Sequence, residues 1–261
     1  MALYDPQQRR AQTFAYGEDP AITALPFYSM SLFLLGYPDQ ALQKVREALT
    51  LARDLAHANS MALAPFVTAV VHCYRREHEE AREHAEAAIA LATEQGLPFW
   101  LALGTLARGW ALVEQGEAES GIVQIRQGLA AHRASGAVES QTHMLALLAE
   151  AYGKGGQVEE GLATLAAALE FVDRTGERYY EAELYRLKGE LTLRQSSGTR
   201  EAEECFRKAL EIARQQSVKS LELRAVMSLS RLWQQQGKKE EAHEMLAEIY
   251  DWFTERFDTK R

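Results

Sequence analysis

The sequence holds little that would interrupt helices or staple a small fold. Only 6 prolines occur in 261 residues, so long helices meet few obligatory breaks. The 2 cysteines, Cys73 and Cys205, lie far apart and neither forms a CxxC pair. That suits a reducing cytosol, where lone cysteines act as small apolar residues. No run reaches the ~18 uninterrupted apolar residues of a membrane helix. The opening MALYDPQQRR has no apolar core of a secretory signal. A basic block is also missing: the net charge is -8, with acidic and basic residues interleaved. This argues against nucleic acid as a direct partner. These absences describe a soluble cytoplasmic protein with no membrane association.

What is present is helix-forming. Ala, Leu, Glu, Gln and Arg dominate long stretches, and 47% of the residues are hydrophobic against 25% charged. A repeat organises them. A small residue is followed four positions later by a mostly larger apolar one and three after that by a small one. The pattern recurs at Ala41/Val45/Ala48, Ala81/Ala85/Ala88, Gly121/Ile125/Gly128, Gly161/Leu165/Ala168 and Ala202/Phe206/Ala209. Ala242/Leu246/Ile249 keeps the register without the final small residue. The period is therefore about 40 residues. A second series of small residues, at Ser29, Ala69, Gly109, Ala149, Gly189 and Ser230, keeps the same clock and would let paired helices approach closely.

Glycines punctuate it. Gly36, Gly116, Gly156 and Gly237 stand five positions before the key residue, and Gly96, Gly136 and Gly176 stand fifteen after it. Glycine reaches the left-handed conformation that ends helices, so each repeat reads as helix, turn, helix, turn. Apolar spacing between the turns is helical, as at Leu184, Leu187 and Leu191, and no strand alternation competes with it. One helix pair cannot bury its apolar face alone, so the pairs must stack into an all-α solenoid. The solenoid is expected over residues 20–257, with repeats at about 20–57, 58–97, 98–137, 138–177, 178–218 and 219–257. Residues 1–19 are expected to be a remnant or extension and 258–261 a tail. The ragged ends read as those of a segment of a larger protein.

These registers resemble the tetratricopeptide family in a lengthened form. Segments such as LGYPDQAL (35–42), GWALVEQG (109–116), LLAEAYGKGGQ (147–157) and YYEAELYRLKGELTL (179–193) are similar to the C-terminal repeats of bacterial multidomain regulators. There such repeats follow a STAND-type NTPase module, often with a class III nucleotide cyclase domain. The resemblance implies a right-handed superhelix of antiparallel helix pairs. It also implies a sensor or docking arm whose partners include the NTPase or cyclase domains of a parent protein.

Motifs with chemical potential resolve into structure. The stretch His72 to His84 carries His72, His78 and His84 at six-residue spacing, which does not place two ligands on one helical face as HExxH does. It reads as a solvated turn and helix start, and no metal is expected. Gly153-Lys154-Gly155-Gly156 lacks the strand and the GK[ST] ending of a phosphate loop. There is no GxSxG elbow. No catalysis and no cofactor are expected.

The first helix of each tetratricopeptide pair lines the concave face. Carried onto this register, the resemblance implies a partner-binding groove of Phe66, Val70, Tyr74, Leu106, Trp110, Glu150, Arg186, Glu190, Arg194, Arg224 and Arg231. Its first half is apolar and aromatic, its second half charged. A protein or peptide segment is expected to lay an apolar side near Phe66 and Trp110 and acidic groups near Arg186, Arg194, Arg224 and Arg231. The alternative occupant is a small-molecule effector, which a closed pocket with convergent polar groups would favour.

Overall fold

The computed structural model describes residues 20–55, 57–195 and 198–255. The expectations for residues 1–19 and for the tail 258–261 fall outside them. The described residues form helix pairs in chain order. They are α1 (Pro20–Leu35) with α2 (Pro38–Leu55), and α3 (Ala58–Arg75) with α4 (His78–Glu94). Next come α5 (Pro98–Glu114) with α6 (Ala118–Ala134), and α7 (Gln141–Lys154) with α8 (Val158–Thr175). The series ends with α9 (Glu181–Thr192) and α10 (Thr199–Gln216), then α11 (Lys219–Gln235) and α12 (Lys239–Tyr250).

Local chemistry sets the helix ends. Pro98 sits in the first turn of α5, where its missing N–H costs nothing. Acidic residues such as Glu79 and Glu80 in α4 and Glu159 and Glu160 in α8 occupy first turns, where they complement the helix dipole. All seven register glycines, from Gly36 to Gly237, take the left-handed conformation that the spacing predicts. In the second repeat the equivalent position is Arg76, which adopts φ 62° despite its side chain.

The small-residue series brings helices into near backbone contact. A Cβ added to Gly109 would lie 2.8 Å from the carbonyl oxygen of Gly121, and one added to Gly121 would lie 2.5 Å from that of Gly109. Only glycine permits α5 and α6 this approach. The first helices of the pairs contact one another along the array and form an inner layer, with the second helices outside. The result is an all-α helical-repeat solenoid.

It is strongly curled. The last repeat returns to the first, so α11 contacts α1. The Ser220 hydroxyl donates to the Phe33 carbonyl, and Glu255 accepts from the Asp39 backbone N–H and the Gln40 side chain, each at 2.7 Å. Trp252 packs 5.6 Å from the Tyr37 ring and lies under the Lys219 ammonium. This seam closes the described repeats on themselves.

Candidate binding site on the concave face

The inner helices α1, α3 and α7, with Tyr180 just before α9, converge on an aromatic hub. Tyr74 of α3 stacks on Phe33 of α1 at 5.1 Å, meets His143 of α7 at 5.1 Å and lies 6.1 Å from Tyr180 before α9. Four repeats thus touch through one side chain. Burial pushes the Tyr74 phenol well above its usual pKa, and its hydroxyl has no hydrogen-bond partner among the described residues. Burial also lowers His143 to about 4, against a weaker opposing pull from Glu183, so its ring is neutral at pH 7.

On one side of the hub lies a partly enclosed cavity of about 110 Å³. Phe66, Val70, Leu103, Leu106 and Met144 form much of its wall, and Phe99 and Trp100 add an aromatic edge. Pro26, Phe27 and Met30 of α1 close it from the first repeat. Its polar contributions come from His132, Glu139, Ser140 and His143. His132 is 1% exposed and His143 6%, and both ring nitrogens of His132 and Nε2 of His143 have no hydrogen-bond partner among the described residues. Burial lowers the His132 pKa, with Glu139 opposing. Ser140 takes a left-handed φ of 61°, a cost concentrated at the cavity wall.

On the other side lies an ion-pair network. Arg76 reaches Glu150 at 2.7 Å and Glu114 at 3.0 Å, and Lys154 also pairs with Glu114. Arg186 binds Glu183 at 2.7 Å and Glu190 at 3.3 Å, while Arg224 meets Glu183 at 2.8 Å. Cations and carboxylates balance within this set. Burial alone would raise the Glu150 carboxyl, but Arg76 and Arg224 overcome it and hold the group at about 2. Burial is similarly overcome at Glu183 by Arg186 and Arg224, and its pKa is lowered. Burial and the neighbouring Arg76 lower the pKa of Arg224.

The expected groove residues therefore divide. Phe66, Val70 and Leu106 line the cavity together. Trp110 is 1% exposed, lies beneath the Arg76 guanidinium and does not line it, so the expectation that a partner packs on Trp110 does not fit this surface. Tyr74 is likewise consumed by the hub. Glu150, Glu190, Arg186 and Arg224 take part in one ion-pair network, in which carboxylates and guanidinium groups answer one another's charges. Curvature is the reason: the repeats draw these side chains together until they satisfy each other. Arg194 and Arg231 remain exposed, and Arg194 donates to the Gly153 carbonyl.

Sequence reasoning missed Arg76, Tyr180 and His132. Arg76 carried a signal, since it fills a slot that glycine holds in other repeats. His132 lies on an outer helix and carried none. The His72–His84 stretch is also less solvated than expected: His72 is buried, hydrogen-bonded to Glu77 at 2.6 Å and stacked on His84 at 5.5 Å. Among the described residues no group of three or more His, Cys, Asp or Glu is placed to hold a metal ion, and no helix is long and apolar enough to cross a membrane.

No protein-family model matches the chain. Over 233 residues it is 27% identical to the uncharacterized protein R02095 of Rhizobium meliloti (strain 1021), a match covering 89% of this chain and 23% of that protein. The chain thus spans under a quarter of the length of this curated relative. Among solved structures, apo RapI superposes with a TM-score of 0.66 at 15% identity over 92% of this chain and 86% of its own. A kinesin light chain of Podosopora anserina with nearly identical TPR-like repeats gives a TM-score of 0.47 at 19% identity, over 72% of this chain and 92% of its own. The fold is an all-α helical-repeat solenoid that superposes on apo RapI.

Proposed function

We propose that the chain is a non-catalytic interaction module that captures a protein or peptide segment by one apolar anchor side chain seated in the concave cavity. The observation that carries this reading is the cavity itself, walled by side chains from four successive repeats. Its size favours a single anchor. Pockets for whole small molecules run to ~300–1,000 Å³, whereas about 110 Å³ suits one ring or branched side chain. Filled apolar pockets of this kind are where binding energy concentrates in protein interfaces. Phe27, 63% exposed, stands at the rim and offers the segment further apolar contact.

The resemblance to repeat arms of STAND-type regulators supports a sensor or docking arm of a larger cytoplasmic signalling protein, in which the segment belongs to an NTPase or cyclase domain or to an effector protein. The length of the Rhizobium relative is in keeping with such a setting.

Selection of displayed random peptides on the native chain tests the reading, with Val70→Phe as the blocked control. Enriched peptides should share an apolar anchor and lose binding to Val70→Phe, whose melting temperature should remain near native. Peptides that bind both proteins equally would remove the cavity from the interface. A small-molecule effector is the second reading, favoured by the enclosure and by the unpaired histidine nitrogens. It would show as a rise in melting temperature with a metabolite panel and no peptide enrichment.

A further inference from the structure

Resting on the reading of the cavity as an anchor pocket, we infer that its occupant is a tyrosine side chain of the partner segment, held by an aromatic wall and hydrogen-bonded to His132 or His143. Three observations converge. The first is size and shape: a cavity of about 110 Å³ is of the class that admits a single ring, since benzene enters an engineered cavity of ~150 Å³. Phe27, a lining residue 63% exposed, joins the cavity to the surface from which the ring would enter.

The second is the wall. Phe66 and Trp100 lie 5.9 Å apart and tilted, Phe99 and Trp100 meet edge-on at 4.8 Å, and Phe99 meets the His132 ring at 5.4 Å. These are the offset and edge-to-face distances that aromatic rings favour, and an inserted ring extends the cluster. The Trp100 indole N–H already donates to Asn59, so it makes no polar demand on the occupant.

The third observation separates tyrosine from phenylalanine. His132 and His143 line the cavity, are at least nine-tenths buried, and carry ring nitrogens without hydrogen-bond partners among the described residues. Buried polar atoms are nearly always paired in native proteins, and an orphan points to a missing partner. The nearest carboxylate oxygen, on Glu139, is 4.0 Å from His132 Nε2, beyond hydrogen-bond reach. A neutral imidazole offers one donor and one acceptor, and a phenol can answer either. A phenylalanine ring would fill the same space and leave both histidines unanswered.

The side-chain mimics p-cresol and toluene test this on the full chain. In an apolar cavity without a polar partner, the buried hydroxyl should weaken p-cresol by about tenfold or more relative to toluene. With a histidine partner, p-cresol should bind at least as tightly as toluene, measured by calorimetric titration. His132→Phe with His143→Phe should then restore the preference for toluene. In the native protein p-cresol, but not toluene, should also move the imidazole nitrogen resonances, a readout that survives if the variants fold poorly. Toluene binding tightly with p-cresol weaker by tenfold or more would overturn the tyrosine assignment and leave the anchor pocket standing. Binding of neither would overturn both.

Discussion

Arg76 Nη1 lies 2.7 Å from Glu150 Oε1, joining the turn of the second repeat to the inner helix of the fourth. The arginine reaches that point from a left-handed backbone slot that register-matched repeats fill with glycine. A non-glycine residue there costs about 1 kcal/mol. The contacts to Glu150 and Glu114 offset this cost.

Arg76→Gly should therefore relieve the backbone and still destabilise the protein, by about 1–2 kcal/mol, because two carboxylates lose a partly buried partner. The informative quantity is the double-mutant cycle with Glu150→Gln, read by urea denaturation. A coupling of about 1–3 kcal/mol is expected for groups in direct contact; additive effects would show that the pair is incidental.

Tyr74→Phe should stabilise the chain by up to about 1 kcal/mol. The ring keeps its contacts with Phe33 and His143, while a buried hydroxyl without a partner among the described residues disappears. A lowered melting temperature would contradict this account of the hub.

Stability should fall with acid in two stages. His143 titrates at about 4 in the folded chain against 6.5 when unfolded, so between those values the unfolded state binds more protons and is favoured as pH drops. The loss approaches roughly 3 kcal/mol across the window. Burial shifts His84 and His132 in the same direction. Below about 4.5 a second stage follows, because Glu150 and Glu183, whose folded pKa values are lowered by their arginines, take up protons in the unfolded chain before they do in the folded one. Denaturation midpoints at pH 7.5, 5.5 and 4.5 should show the first stage flattened in His143→Phe; an unchanged slope would exclude this histidine as its source.

Gly36→Ala should loosen the seam. A Cβ there would clash with the Trp252 ring and lie 2.9 Å from Phe253, on a backbone at φ +98°. Near-ultraviolet circular dichroism should lose tryptophan signal and small-angle scattering should report a larger radius of gyration. Glu255→Ala, which removes the contacts to Asp39 and Gln40, should have the same sign and smaller size. An unchanged radius in both variants would mean that the curl persists without the seam.

The helical repeat was legible because it rests on local chemistry. Glycine at a fixed offset specifies a left-handed turn, and small residues at 109 and 121 specify close helix approach. The concave surface was legible only in part. Phe66, Val70 and Leu106 meet as the register implies, but the burial of Trp110 and the mutual neutralisation of Arg186 and Arg224 depend on how far each repeat rotates against the next. That rotation comes from the summed packing of many contacts and leaves no periodic mark. His132 shows the same limit, since it enters the cavity wall from an outer helix.

The seam between α1 and α11 also fixes how many repeats can lie between its two sides. An open solenoid tolerates a unit added or removed, since each unit answers only to its neighbours. Here, one unit more or fewer would carry Trp252 and Glu255 past Tyr37 and Asp39 by a whole repeat's rotation. The spacing between Tyr37 and Trp252, ordinarily free to vary in such folds, is here a condition of the shape.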